Sequence, residues 1–80
     1  MKKCSELIIF GKHLRALREA KGFTQESFAS IIEVNLCYYN AVERGEKNVA
    51  ARNLIKIACA LEVEVGELFP PLKKLSKVIK

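Results

Sequence analysis

Asn40 and Arg44 carry the side chains of this sequence that are best suited to recognising another molecule through hydrogen bonds. The amide of Asn40 can donate and accept at once, and the guanidinium of Arg44 offers several donors in one plane. With a rotation of about 100° per residue, a helix places both on one side together with Leu36 and Cys37. The opposite, apolar side of that helix would carry Tyr38, Tyr39 and Val42. Such a helix is typical of elements that contact base edges in the DNA major groove, where Asn40 could pair with adenine through two hydrogen bonds.

Catalytic or metal chemistry finds little support elsewhere in the sequence. The three cysteines, Cys4, Cys37 and Cys59, are widely spaced, and His13 is the single histidine. Neither a disulfide framework nor a zinc site follows from this spacing. The sequence shows no nucleophile with a convergent histidine and carboxylate, and no phosphate-loop motif. We therefore expect a protein that is not an enzyme and that needs no metal or cofactor.

The charge of the chain favours a polyanionic partner. Its 80 residues include 14 Lys and Arg against nine acidic residues, which gives a net charge of +5. Four lysines lie in residues 70–80 without an acid, so the remainder has a net charge of only +1. We expect one domain over residues 1–69 and a basic tail at 70–80 with helical spacing of Leu72, Leu75 and Ile79. The apolar run at residues 7–10 is too short for a signal peptide or a membrane span, so a cytoplasmic protein is expected.

Apolar spacing and capping residues predict five helices and a compact all-α fold. The stripe of the first helix consists of Leu7, Phe10, Leu14 and Leu17, and that of the fourth consists of Leu54, Ile57, Ala58 and Leu61. Thr24 and Asn35 are suited to cap the second and third helices, which meet at a tight turn. A fifth short helix is expected within residues 63–69, because Pro70 prevents its continuation.

The stretch Phe10 to Phe69 resembles the Cro/Xre-type phage-repressor family of helix-turn-helix domains. The motifs that carry the resemblance are FGKHLRALR at 10–18, GFTQE at 22–26, VERG at 42–45, and the apolar helix 54–61 followed by ELF at 67–69. Their order and spacing are specific in combination. The resemblance implies a five-helix repressor-like domain with the helix-turn-helix at helices two and three. Glu33 stands where the family turn usually has glycine, so we expect either a less tight turn or a left-handed conformation of Glu33 at some cost.

The resemblance also implies roles for individual residues. Gln25 is similar to the family glutamine that contacts a backbone phosphate, and Tyr38, Lys47 and Asn48 would flank the recognition helix on the phosphates. The predicted DNA-binding residues are therefore Gln25, Asn35, Leu36, Cys37, Tyr38, Asn40, Arg44, Lys47 and Asn48. Leu36 and Cys37 would contact thymine methyl groups. Arg18 and Glu43 resemble the buried ion pair that ties the first helix to the third.

A second apolar strip predicts self-association. Ile55 and Cys59 lie about 100 to 140° from the Leu54 stripe, outside the predicted core face. Relatives form dimers through their fourth and fifth helices, and the corresponding interface here would consist of Ile55, Cys59, Val65, Leu68 and Phe69. A two-fold dimer also suits a short recognition helix, which contacts too few base pairs alone.

These features together predict a transcriptional regulator that binds double-stranded DNA as a homodimer on a pseudo-palindromic operator. Within the family, the run from Glu43 to Asn48 followed by a Leu-rich helix is most similar to the controller proteins of restriction-modification systems. A repressor from a phage or mobile element is an alternative. A further alternative is an antitoxin whose tail, Leu72 to Lys80, binds a protein partner.

Overall fold

The computed structural model describes residues 5–70, and this part of the chain is helical without strands. Four α-helices are present: α1 (Ser5–Ala20), α2 (Gln25–Ile31), α3 (Leu36–Glu43) and α4 (Ala51–Leu61). The predicted all-α class is confirmed. The predicted tail lies outside the described residues from position 71 onward.

The predicted fifth α-helix is instead a 3-10 helix of four residues, Val65–Leu68. Its backbone bonds run from Glu67 N to the Glu64 carbonyl and from Phe69 N to the Gly66 carbonyl, three residues apart. Gly66 disfavours a longer helix and Pro70 prevents one. The apolar residues of this segment therefore pack against the core from a short turn, because the segment is too short for regular α-helical hydrogen bonds.

Side-chain caps fix the start of both helices of the central pair. The Thr24 hydroxyl accepts from Ser27 N at 3.0 Å, and the Ser27 hydroxyl accepts from Thr24 N at 3.1 Å. Asn35 Oδ1 accepts from Cys37 N at 2.7 Å and from Tyr38 N at 3.2 Å. Both predicted N-caps are confirmed, and each satisfies amide groups that the first turn of a helix leaves unpaired.

The turn between α2 and α3 depends on a left-handed residue. Glu33 has φ of 60°, which is the left-handed one of the two expected alternatives, and the next amide, Val34 N, donates to the Ala29 carbonyl at 3.0 Å. A residue with a Cβ in this conformation costs of order 1 kcal/mol or more. The turn therefore has a conformation that glycine would adopt without strain, and Glu33 adopts it at some cost in stability.

One apolar core holds the helices together. Its largest fully buried side chains are Tyr39, Phe28, Leu14, Ile57, Leu61, Leu68 and Val42. At Gly11, α1 passes so close to the end of α3 that a Cβ would overlap the Glu43 carbonyl group. The absence of a side chain at position 11 therefore sets the distance between α1 and α3.

Candidate nucleic-acid interface

A buried ion pair anchors the C-terminal end of α3. Arg18 Nε lies 2.7 Å from Glu43 Oε2, and Arg18 Nη2 lies 3.2 Å from Glu43 Oε1. The two residues are only 5% and 7% exposed, and Arg18 Nη1 also donates to the Phe23 carbonyl at 2.7 Å. The predicted pair between α1 and α3 is confirmed. It extends to the turn that precedes α2.

Two more side chains donate to the Glu43 carboxylate. The Tyr39 hydroxyl donates to Oε2 at 2.5 Å, and Gln25 Nε2 donates to Oε1 at 2.8 Å. Burial alone would raise the pKa of Glu43, but the hydrogen bonds from Arg18, Tyr39 and Gln25 lower it below its ordinary value. Burial, together with the Glu43 carboxylate, raises the pKa of Tyr39. Glu43 is therefore ionised at neutral pH and joins α1, α2 and α3.

The sequence did not predict the contributions of Tyr39 and Gln25 to this cluster. Tyr39 precedes Glu43 by four residues, which places both on one face of α3, and this spacing was the available signal. Gln25 was predicted to contact phosphate only. One of its N–H groups is instead used by Glu43, which fixes the orientation of the amide at the start of α2. A phosphate contact by Gln25 would have to use its second N–H group.

The outer side of α3 carries the four residues predicted to face bases, which we call the base-facing arc: Leu36, Cys37, Asn40 and Arg44. Leu36 is 37% exposed, Cys37 is exposed, and the Arg44 side chain is 54% exposed. Tyr39 and Val42 on the other side are almost fully buried. This exposure agrees with the prediction for Leu36, Cys37 and Arg44 on the free face and for Tyr39 and Val42 on the core face, whereas Tyr38, predicted on the core face, is only half-buried.

Asn40 differs from its predicted presentation. Its residue is half-buried, and its Oδ1 is buried with no hydrogen-bond partner among the described residues. The expected two-bond pairing with adenine needs both amide atoms at the surface. That pairing is therefore unavailable to the side chain in this conformation.

The residues that flank α3 form a connected polar rim. The Tyr38 hydroxyl donates to the Asn48 carbonyl at 3.2 Å and receives a bond from Asn53 Nδ2 at 3.5 Å. This bond ties α3 to the loop whose exposed residues Lys47 and Asn48 were predicted to contact phosphate. Asn35, also predicted to contact DNA, uses its Oδ1 to cap α3. Of the residues predicted to contact phosphate, Tyr38 and Asn48 are thus brought together beside α3.

Arg44 does not extend freely from the end of α3. Its Nη2 atom lies 3.1 Å from Glu46 Oε1, and both side chains are solvent-exposed. The sequence did not predict this pair. The remaining donors of the guanidinium stay available for a base or a phosphate.

The predicted self-association residues do not form one surface. Ile55 is 56% exposed and Cys59 is exposed, and they border a groove with Ile31, which is 51% exposed and was not predicted. We call Ile31, Ile55 and Cys59 the apolar groove. Leu68 was wrongly predicted to face a partner, because it is fully buried in the core.

The other two predicted interface residues, Val65 and Phe69, are both accessible to solvent. Val65 is 40% exposed on the 3-10 helix. Phe69 is 41% exposed and its ring lies 5.3 Å from that of Phe10. Phe69 lines a separate pocket of about 310 Å³ with Phe10 and Leu54. Amphipathic spacing could not distinguish these two surfaces, because it does not show how α4 and the 3-10 helix are oriented.

Other site classes were also searched in the described part. Within residues 5–70, no group of three or more His, Cys, Asp or Glu side chains could hold a metal ion. None of the helices in the same range is long and apolar enough to cross a membrane.

Comparison with known proteins decides the family. A family model described as helix-turn-helix matches residues 14–68. The chain belongs to the helix-turn-helix family. It is thus a member of a family of DNA-binding transcriptional regulators, as the motifs predicted.

Restriction-modification controller proteins are among the similar members of this family. The chain is 41% identical over 68 residues to control protein C.MunI from a Mycoplasma species, an alignment that covers 84% of this chain and 92% of that protein. It is 45% identical to the controller protein C.AhdI from Aeromonas hydrophila, with a TM-score of 0.78 over 81% of this chain and 98% of that structure. The hypothetical transcription factor NHTF from Neisseria is 30% identical, with a TM-score of 0.76 over 99% of this chain and 93% of that structure.

Proposed function

We propose that the protein is a homodimeric regulator that binds a pseudo-palindromic operator and controls the genes of a restriction-modification system. The observation that carries the proposal is the division of α3 into two faces. One face is fixed to the domain by Tyr39, Val42 and the Arg18–Glu43 pair, and the other presents the base-facing arc. A helix held against the domain on one face, with hydrogen-bond donors and apolar side chains on the other, is suited to enter the major groove.

The residues around α3 supply contacts to the DNA backbone in this proposal. Lys47 and Asn48 lie in the loop that Tyr38 ties to α3, so their phosphate contacts would fix the position of the helix in the groove. Gln25 would contact a phosphate with the N–H group that Glu43 does not use. These contacts supply affinity without sequence preference, whereas the base-facing arc supplies the preference.

A second copy of the chain is proposed to cover the apolar groove. Ile31, Ile55 and Cys59 are exposed together, which is costly for a small domain unless another surface packs against them. Lys56 and Glu33 lie 3.8 Å apart at the border of this groove, so the border carries both signs of charge, which a self-complementary two-fold contact can pair. The two recognition helices would then contact half-sites about 34 Å apart or a multiple of that spacing.

We assign the DNA-binding unit to residues 1–69, with the basic tail at 70–80 outside it. The family match over residues 14–68 supports this division. The similarity to C.MunI and C.AhdI supports the assignment of the regulated genes, because both are named as restriction-modification control proteins.

Selection from a pool of random DNA duplexes with the full-length protein tests the proposal. We expect enrichment of a two-fold symmetric sequence that binds two chains per duplex and that occurs upstream of restriction-modification genes in the source genome. A scrambled duplex of the same composition is the control, and it should bind at least about a thousandfold more weakly at physiological salt. Absence of any enriched sequence, or one chain per bound duplex, would contradict the proposal.

A further inference from the structure

We infer that Asn40 recognises guanine and not adenine, because the base-facing arc presents hydrogen-bond donors and apolar groups but no available side-chain amide or carboxylate acceptor. The inference rests on the proposed function and specifies the DNA sequence class that α3 accepts. It replaces the adenine contact that the residue type alone predicts.

The first step is the orientation of the Asn40 amide. Its Oδ1 is buried and has no partner among the described residues, so this acceptor does not face the groove. The residue as a whole is half-buried, and the amide group that remains toward the outside is Nδ2 with its two N–H bonds. Asn40 therefore presents donors to a base.

The second step is the fate of the neighbouring acceptors. Asn35 Oδ1 receives two backbone N–H bonds at the start of α3, at 2.7 and 3.2 Å. Glu46 Oε1 is 3.1 Å from Arg44 Nη2, and Glu33 Oε1 is directed toward Lys56 of α4 at 3.8 Å. None of these three residues belongs to the base-facing arc, in which Asn40 has the only side-chain amide or carboxylate oxygen.

The groups that remain on the arc are donors and apolar surface. Arg44 contributes guanidinium N–H groups, Asn40 contributes its NH2 group, and Leu36 contributes an exposed aliphatic side chain. Donors match the N7 and O6 atoms of guanine, and an aliphatic group matches the thymine methyl. The arc offers no side-chain amide or carboxylate acceptor for the amino groups of adenine and cytosine.

The distinction between the two purines follows from their groove edges. Guanine presents two acceptors side by side, N7 and O6, and one NH2 group can donate to both. Adenine presents N7 beside the N6 amino group, so the Asn40 NH2 would meet a donor there. The G·C pair is therefore favoured at the position that faces Asn40.

The test compares the sequences selected by the wild-type protein and by Asn40→Ala from the same random pool. We expect the variant to lose its preference at one position of each half-site, and we expect that position to be a G·C pair. Circular dichroism of the variant confirms that it is folded. If the relaxed position is an A·T pair, or if no position relaxes, the inference is wrong.

A second measurement uses the unmodified protein and changes the DNA. Replacement of that guanine by 7-deazaguanine removes the N7 acceptor, and we expect wild-type affinity to fall about tenfold, the loss of one hydrogen bond of about 1.4 kcal/mol. The Asn40→Ala variant should bind both duplexes equally. An unchanged wild-type affinity would overturn the inference while leaving the proposed function intact. Failure of the wild-type protein to enrich any sequence would instead refute the proposed function, and this inference with it.

Discussion

Glu43→Gln is the substitution that tests the buried cluster most directly. Glutamine has nearly the same shape as glutamate but no charge, so the change removes the buried counter-ion of Arg18. The only other carboxylate that the described part of the structure places beside the guanidinium is the exposed one of Glu19, at 3.8 Å. Arg18 is 5% exposed, and its Nε is 2.7 Å from the carboxylate that is lost. Removing one partner of a buried ion pair costs about 3 to 5 kcal/mol. This cost is a large part of the stability expected for a domain of this size.

The assay is urea unfolding followed by far-ultraviolet circular dichroism at pH 7. The matched control is Glu62→Gln, since Glu62 Oε1 lies 3.8 Å from Lys21 Nζ and the two side chains are 83% and 44% exposed. An exposed pair of this kind contributes about 1 kcal/mol or less. We therefore expect Glu43→Gln to lower the free energy of unfolding several times more than Glu62→Gln. Equal losses for the two variants would refute the argument that burial makes the Arg18–Glu43 pair essential.

Four further predictions follow from the same structure. The pKa of Glu43 is lowered from 4.5 in the folded state, so its contribution to stability is complete above that pH and is lost as the pH falls through the folded pKa. The stability of Glu43→Gln should therefore depend less on pH in acid than that of the wild type. The same pH dependence in both proteins would contradict this. Glu33→Gly should raise the free energy of unfolding by about 1 kcal/mol, since glycine adopts φ of 60° without strain, and a loss in urea titration would show that the turn is not strained. Ile55→Asp should convert the proposed dimer to monomer in sedimentation at micromolar concentration and weaken binding to the proposed operator; a dimer that persists would exclude the apolar groove as the interface. Lys47→Ala should weaken binding to operator and random DNA alike and reduce the slope of log affinity against log salt by about 0.9. The control Lys12→Ala on α1 should leave this slope unchanged. Equal slopes for the two variants would show that Lys47 does not contact a phosphate.

Local signals in the sequence predicted the framework of the site. Thr24 and Asn35 were recognisable as caps because capping depends on residue type and on amides only two or three positions away. The position of Glu33, where the family turn usually has glycine, left a looser turn and a left-handed residue as alternatives, and the structure shows the left-handed residue. The pairing of Arg18 with Glu43 was predicted from the resemblance of the motifs to the family. Local spacing could not have predicted it, because the two residues are 25 positions apart.

Features that depend on packing between elements were not predictable. The spacing of Leu68 from the other apolar residues in the sequence is equally compatible with an exposed interface position. Only the position of the 3-10 helix over the core shows that Leu68 is buried. The buried Oδ1 of Asn40 depends on its rotamer, which helical periodicity does not determine. Ile31 joins the apolar groove because the end of α2 lies near α4, a relation between two segments that are distant in sequence.

The close passage of α1 at Gly11 has a consequence for genetic screens. Any side chain at this position would push α1 away from the Glu43 carbonyl, and the recognition helix would tilt or shift with it. Such an allele would fail to regulate although position 11 makes no contact with the operator in the proposed complex. A screen for loss of regulation should therefore recover Gly11→Ala alongside changes in the base-facing arc. Suppressors that restore regulation would be expected at smaller replacements for the apolar side chains beneath α1, not at residues that touch DNA.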